Sequence, residues 1–247
     1  MFDRSPTEGK YVGWDNFSVT LTSELNGSPL MWNAVANGLL VTLNSLHVLS
    51  VAYADDFPII VRGKYANTVF DRMESTLNTV QRWCDKVGLS VNPDKTALIL
   101  FTRKRKIRGI RTLKFYGRDL SLVHQVKHLG VLLDSKLNWG PHLEFRTKKA
   151  CRILGQSRRA IGNMWGLGPK QCLFIYKMLV KPYFLYGSVV WWKKTEQVSA
   201  KAMMSHLQRL ACLSTTGALR STPTAALELI TGLPPLHLQE YSSTGTS

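Results

Sequence analysis

The segment Leu46-His-Val-Leu-Ser-Val-Ala-Tyr-Ala-Asp-Asp-Phe-Pro-Ile-Ile-Val61 constrains the fold more than any other. Two apolar, β-rich runs flank a short polar centre, Ala54-Asp55-Asp56. Such a pattern predicts a β-hairpin with adjacent carboxylates at or beside its turn. Helical periods stand on both sides. Ser28 to Val41 predicts a helix, with Pro29 in its first turn and Leu30, Ala34 and Leu39 at near-helical spacing. Asn67 to Val87 predicts another, since Val69, Met73, Leu77, Val80, Cys84 and Val87 fall three or four apart and Gly88 supplies a stop.

Downstream, Ala97 to Thr102 predicts a strand. Leu113 to Tyr116 and Val126 to Leu133 predict short strands, with turns at Gly117-Arg-Asp and at Gly130. After Trp139 the pattern turns helical. Pro141 opens a helix with Leu143, Ala150, Leu154, Ile161 and Met164 on one side, and Pro169 opens another that ends near Pro182. Ala200 to Leu213 and Pro223 to Ile230 follow, with stops at Gly217 and Gly232. The fold class is therefore α+β, with an α+β first part (1–140) and an all-helical second part (141–240). Residues 1–28 show little periodicity and are expected to be loop, and the polar tail 241–247 is expected to fray.

The chain carries a formal net charge of +16 and a sequence pI of about 9.9. Between Arg103 and Lys181 there are 19 Lys/Arg and only 3 Asp/Glu, while the remainder of the chain is balanced at 13 of each. The whole excess sits in one central stretch, which points to a polyanionic partner, nucleic acid or an anionic membrane surface. Cys84, Cys151, Cys172 and Cys212 form no CxxC pair and read as reduced core thiols. His124 and His128 are four apart in a segment without helical character, so they do not read as a zinc site. The apolar stretch from Phe174 to Trp192 is interrupted by Lys177, Lys181 and Pro182, which argues against a transmembrane helix.

Adjacent aspartates on a turn suit magnesium, which prefers carboxylate oxygens and keeps several waters. Nucleotidyl transfer needs that chemistry, with two ions about 4 Å apart on the attacking and leaving oxygens. Taken alone, an Asp-Asp turn is better explained as a solvated turn. Its context says more. Tyr53-Ala-Asp-Asp56 resembles motif C of the reverse transcriptase palm, and Gly27-Ser-Pro-Leu-Met-Trp-Asn33 resembles the end of motif B. Gly88-Leu-Ser-Val-Asn-Pro-Asp-Lys-Thr96 is similar to motif D. His128-Leu-Gly-Val-Leu-Leu-Asp134, followed by Leu137-Asn-Trp139 and His142, resembles the primer-grip region. Arg159-Ala-Ile-Gly-Asn-Met-Trp-Gly-Leu167, Tyr186-Gly-Ser-Val-Val-Trp191, Gln208-Arg-Leu-Ala-Cys-Leu213 and Thr216 to Leu227 resemble the thumb and the linker after it. Together these segments, from Gly27 to Leu238, resemble reverse transcriptases of non-LTR (LINE-like) retrotransposons of the jockey type.

The resemblance implies a partial palm, an antiparallel sheet with helices, followed by a helical thumb and linker. It implies RNA-directed DNA polymerase activity with Mg2+, an RNA template, a DNA primer and dNTP as partners, and a nuclear location. By motif, Asp55 and Asp56 would be catalytic metal ligands, and Lys95 would approach the leaving pyrophosphate. Leu129 and Gly130 would hold the primer end. Arg146, Lys148, Lys149, Arg152, Arg158 and Arg159 would face the duplex backbone, with Arg103, Lys104, Arg105 and Lys106 as a second basic segment that could equally serve nuclear import.

The sequence also departs from the family. The motif A pattern Phe-x-x-Asp-x-x-x-Ala-Phe-Asp is missing, and Glu8-Gly-Lys-Tyr-Val-Gly-Trp-Asp15-Asn-Phe17 is only a blurred echo of it. Glu24-Leu-Asn-Gly27 stands where motif B has Gln-Gly-Gly-Val-Leu, and Pro58 falls in the second strand of the hairpin. The expectation is a polymerase fragment that is inactive alone. The alternative is a non-catalytic basic module that binds nucleic acid, and a third reading is an amphipathic protein on anionic membranes.

Overall fold

A computed structural model describes residues 11–16, 19–20, 29–54, 56–104, 109–159 and 167–238; for 11–20, 29 and 158–159 only the backbone is described. The chain divides into two compact units, Met1–Leu137 and Asn138–Ser247. The first mixes strands and helices. Its elements are β1 (Tyr11–Asn16), β2 (Val19–Thr20), α1 (Pro29–Ser45), β3 (Leu49–Ser50), β4 (Ile59–Gly63), α2 (Ala66–Val87), β5 (Ser90–Val91), a 3-10 turn (Pro93–Lys95), β6 (Ala97–Phe101), β7 (Lys114–Phe115), β8 (Arg118–Asp119), β9 (Leu122–Val123), β10 (Gln125–His128) and β11 (Val131–Asp134).

The principal sheet has the order β3-β4-β1-β6-β9. Strand β1 runs antiparallel to both β4 and β6, and β9 is parallel to β6. This corrects the expectation of loop over 1–28: residues 11–16 form the central strand. The pairing is non-local, from Val12 to Phe101 on one side and Tyr11 to Gly63 on the other. Local periodicity cannot register such partners, and Gly13 in mid-strand weakens the pattern further.

Helix α2 owes its position to one apolar stripe. Val69, Phe70, Met73, Leu77, Val80 and Cys84 are buried at helical spacing, and Gly88 ends the helix in the left-handed region at φ 74°. These side chains join Ala36, Leu39 and Leu43 of α1 and Ile59, Val61, Leu98 and Leu100 of the sheet in one core. Each full burial of this kind contributes about 1.5–3 kcal/mol.

The second unit is helical: α3 (Gly140–Arg159), α4 (Pro169–Ile175), a π-helical turn (Tyr176–Val180), α5 (Lys181–Leu185), α6 (Ser188–Trp191), a 3-10 turn (Trp192–Glu196), α7 (Val198–Thr216) and α8 (Thr224–Thr231). Its core gathers Leu143, Ala150 and Leu154 of α3 around Met204, Leu207 and Ala211 of α7, with Tyr176, Phe184, Trp191 and Leu227. The expected stop near Pro182 does not occur, and helical structure continues to Leu185. The Lys181 N–H bonds back to the Tyr176 carbonyl. This wider π turn lets Pro182, which has no N–H, enter the first turn of α5. Gly217 and Gly232 end α7 and α8 at φ 66° and 62°. All four cysteines are free.

Candidate functional site

The hairpin closes at Tyr53 and Asp56. Each donates its N–H to the other's carbonyl at 3.0 Å, which leaves a two-residue turn. Ala54 opens that turn at φ 52°, a left-handed conformation more natural to Gly or Asn. Asp55 lies outside the described residues; Asp56 is half-buried. Pro58 precedes β4 rather than lying within it, and its carbonyl accepts the Val51 N–H at 3.4 Å. No ladder donor is therefore demanded of it inside the strand.

Antiparallel pairing of β1 with both neighbours makes β4 and β6 run the same way. Asp15 pairs with Ile59 of β4 and with Leu98 of β6. Asp56 precedes the first of these partners by three residues, and Lys95 precedes the second by three. The carboxylate turn and the lysine turn thus share one edge of the sheet. They are two strand spacings apart, on the order of 10 Å between backbones, a gap that a lysine and a triphosphate can bridge.

Lys95 is exposed at the end of a well-tied turn. The Asn92 side chain accepts the Asp94 N–H at 2.9 Å, and the buried Thr96 donates its N–H to Pro93 at 3.1 Å. Asp94 is engaged by Arg118 at 2.6 Å, a solvent-exposed pair worth under about 1 kcal/mol.

A second hairpin, β10–β11, is tied to the far end of β6 by the Thr102 N–H on the Ser135 carbonyl at 2.9 Å. Four residue pairs separate its base from its tip, Leu129-Gly130. The tip returns to the carboxylate edge. Burial lowers the His128 pKa, and the Asp56 charge opposes that shift, so the two side chains lie within electrostatic reach. Leu129 and Gly130 are both left-handed, at φ 44° and 78°, the pattern of a type I′ turn. The β10–β11 hairpin and the Tyr53–Asp56 turn, each with a non-glycine residue in the left-handed region, therefore lie within electrostatic reach of one another.

Among the described residues no group of three or more His, Cys, Asp or Glu could hold a metal ion. The sequence supplies two adjacent carboxylates here, Asp55 and Asp56, a chemistry that fits a hard, oxygen-seeking divalent cation.

The basic residues fare differently. Lys148, Lys149 and Arg152 are exposed on one side of α3. Lys148 pairs with Glu144 at 2.6 Å, and the Lys149 ammonium sits 5.0 Å from the Tyr183 ring centre. Arg146 does not join them, being 5% exposed. Its guanidinium lies 4.7 and 4.9 Å from the rings of Tyr183 and Tyr186 and donates to the Tyr183 carbonyl at 3.1 Å. It holds helices together rather than facing phosphates. The sequence carried this signal: Arg146 stands three after Leu143 and four before Ala150, on the apolar stripe. Arg158 and Arg159 end α3 by their backbone, but their side chains lie outside the described residues. Arg103 and Lys104 are exposed, and Arg105 and Lys106 lie outside the described residues.

The model of the reverse transcriptase (RNA-dependent DNA polymerase) family matches residues 25–156, more than half of the chain. The chain belongs to the reverse transcriptase family. Its relatives include three insect proteins. One is a putative 115 kDa protein in type-1 retrotransposable element R1DM of Drosophila melanogaster, 30% identical over 210 residues, covering 85% of this chain and 20% of that protein. A second is the retrovirus-related Pol polyprotein from type-1 retrotransposable element R1 of Bradysia coprophila, 26% identical, covering 85% and 21%. A third is the RNA-directed DNA polymerase from mobile element jockey of Drosophila funebris, 28% identical, covering 67% and 17%. The chain spans about a fifth of the length of the first two. These matches agree with the motif resemblance to non-LTR retrotransposon reverse transcriptases. No solved structure matches significantly. Among the described residues no helix is long and apolar enough to cross a membrane.

Sequence reasoning missed one residue that touches the Tyr53–Asp56 turn. Trp32 of α1 donates its indole N–H to the Ala54 carbonyl at 2.5 Å and meets the Phe57 ring edge-on at 6.2 Å. The signal was its place in the motif B segment, Leu30-Met-Trp-Asn33.

Proposed function

We propose that the sheet edge bearing Tyr53–Asp56, Lys95 and Leu129-Gly130 is the nucleotidyl-transfer edge of an RNA-directed DNA polymerase. The observation that carries the reading is the shared edge. Asp56 and Lys95 stand at equivalent positions before β4 and β6, on either side of the end of β1. In this reading the first unit is a palm, and the helical unit is its thumb and linker.

Asp55 and Asp56 would hold magnesium, which supplies Lewis-acid stabilisation of the charge that develops on phosphoryl oxygens. Lys95 places a positive charge, or a proton, at the departing pyrophosphate. The Leu129-Gly130 tip orients the primer end, where glycine allows close backbone approach. Lys148, Lys149 and Arg152 hold phosphates without reading sequence. RNA template, DNA primer and deoxynucleoside triphosphate are the partners, and chromosomal DNA as target makes the nucleus the working compartment.

A second reading keeps the phosphate-binding helix without the chemistry, and one observation favours it. The motif A pattern that would supply a third carboxylate is missing from the sequence. Two adjacent carboxylates without a third bind two ions weakly, so these 247 residues alone are expected to synthesise little DNA.

Primer extension on an RNA template with magnesium and four nucleotides tests this, with wild type beside Asp55→Ala. The reading predicts little extension by the wild type and tight, salt-sensitive RNA binding by both. Processive extension that Asp55→Ala abolishes would establish the polymerase edge and refute its incompleteness. Extension unaffected by Asp55→Ala would refute the site.

A further inference from the structure

We propose that Trp32 is a positioning residue for the carboxylate turn: its indole N–H holds the Ala54 carbonyl, its ring backs Phe57, and together they fix the Tyr53–Asp56 turn on α1. The inference deepens the metal-site reading above and rests on it.

The turn needs such a support. Ala54 has a Cβ and sits at φ 52°, in a region that costs a non-glycine residue about 1–2 kcal/mol. The two bonds that close the turn, Tyr53 to Asp56 and back, lie at an exposed tip beyond the short strands β3 and β4. A hydrogen bond from a fixed donor is worth about 0.5–1.5 kcal/mol net. The two magnitudes are close, so an external contact decides whether the turn stays in this conformation. Trp32 is well placed to supply it. It lies four residues before Ala36 and seven before Leu39, both buried, on the stripe that seats α1 in the core. Its two contacts bracket the turn, one on residue 54 and one on residue 57, and Phe57 itself is 2% exposed. The indole both packs on Phe57 and donates to a carbonyl. Phenylalanine would pack and leave Ala54 unheld.

The test compares wild type, Trp32→Phe, Ala54→Gly with Trp32→Phe, and Asp56→Asn. Amide hydrogen exchange at Tyr53 and Asp56 reads the turn, and exchange at Leu77 in α2 reads the rest of the fold. Trp32→Phe is expected to speed exchange at Asp56 about 2- to 10-fold and to leave Leu77 unchanged. Ala54→Gly, which removes the cost of the left-handed conformation, is expected to return exchange toward the wild-type rate. In the wild type the Trp32 indole N–H is expected to be protected against exchange, a reading that needs no variant. Mn2+ alone, followed by its electron paramagnetic resonance signal, is expected to bind several-fold more weakly to Trp32→Phe and to lose its site in Asp56→Asn. Unchanged exchange at Tyr53 and Asp56 in a folded Trp32→Phe protein, or an unprotected Trp32 indole, would overturn the positioning role. Mn2+ binding that ignores Asp56→Asn would overturn the metal reading instead, and the exchange data would tell the two failures apart.

Discussion

In the sheet unit the candidate residues sit at strand ends, and in the helical unit they sit along the face of one helix. The difference decides how each tolerates change. At the sheet edge, Asp56 and Lys95 are matched only because β1 pairs with β4 and β6 in one register. A slip of one residue would turn every side chain of β1 to the other face. On α3, Lys148, Lys149 and Arg152 each add charge to a surface that needs no common register. One site is all-or-none and the other is graded.

The two cores should also fail separately. Trp191 is fully buried, lies edge-on to Phe184 at 5.9 Å and donates to the Tyr186 carbonyl at 3.2 Å. Trp191→Ala is expected to destabilise the helical unit by about 3–5 kcal/mol. Hydrogen exchange at Val61 in the sheet unit should stay as in the wild type; accelerated exchange there would break the separation.

The helical unit should soften in mild acid. His142 is fully buried, and burial, with the nearby Arg146 charge, lowers its pKa from 6.5 to about 4. The folded state keeps the imidazole neutral while the unfolded state takes up a proton below pH 6.5. Stability contributed by neutral His142 is therefore complete above 6.5 and falls as pH drops toward 4, by up to ~3 kcal/mol. Denaturant midpoints against pH should lose this slope in His142→Phe.

The graded surface should respond in proportion to its free charge. Lys149→Ala and Arg152→Ala are each expected to weaken RNA binding at any sequence and to reduce the salt dependence by about one phosphate contact. Lys148→Ala should do less, because Glu144 already pairs with Lys148 at 2.6 Å. Equal losses at all three would show that Glu144 yields its partner to RNA. The smallest effect belongs to the Leu129-Gly130 tip. Leu129→Gly relieves a left-handed leucine at φ 44° and should raise stability by about 1 kcal/mol, read as a shift in urea midpoint.

What could be read from the sequence follows the same division. Local periodicity located α2 from its stripe and Gly88, and the hairpin around Ala54-Asp55-Asp56 from its two apolar runs. It could not find β1, whose partners lie some fifty and ninety residues away. It counted Arg146 as a phosphate ligand on charge alone, although the same heptad places it among Leu143 and Ala150. It passed over Trp32 because a tryptophan on an apolar helix looks like core, and only the turn it touches gives it another role. Charge and periodicity are properties of a segment, whereas a register or a bond across 22 residues belongs to the fold.

The proposed site requires three separated segments, around Asp56, Lys95 and Leu129-Gly130, to stand near one bound metal ion. Iron(II) substituted for magnesium, with ascorbate and peroxide, cuts the backbone near a bound ion. Cuts are expected to cluster at 53–57, 93–97 and 128–131, and all to be lost in Asp56→Asn. Cuts confined to one of these segments, or unchanged in Asp56→Asn, would contradict it.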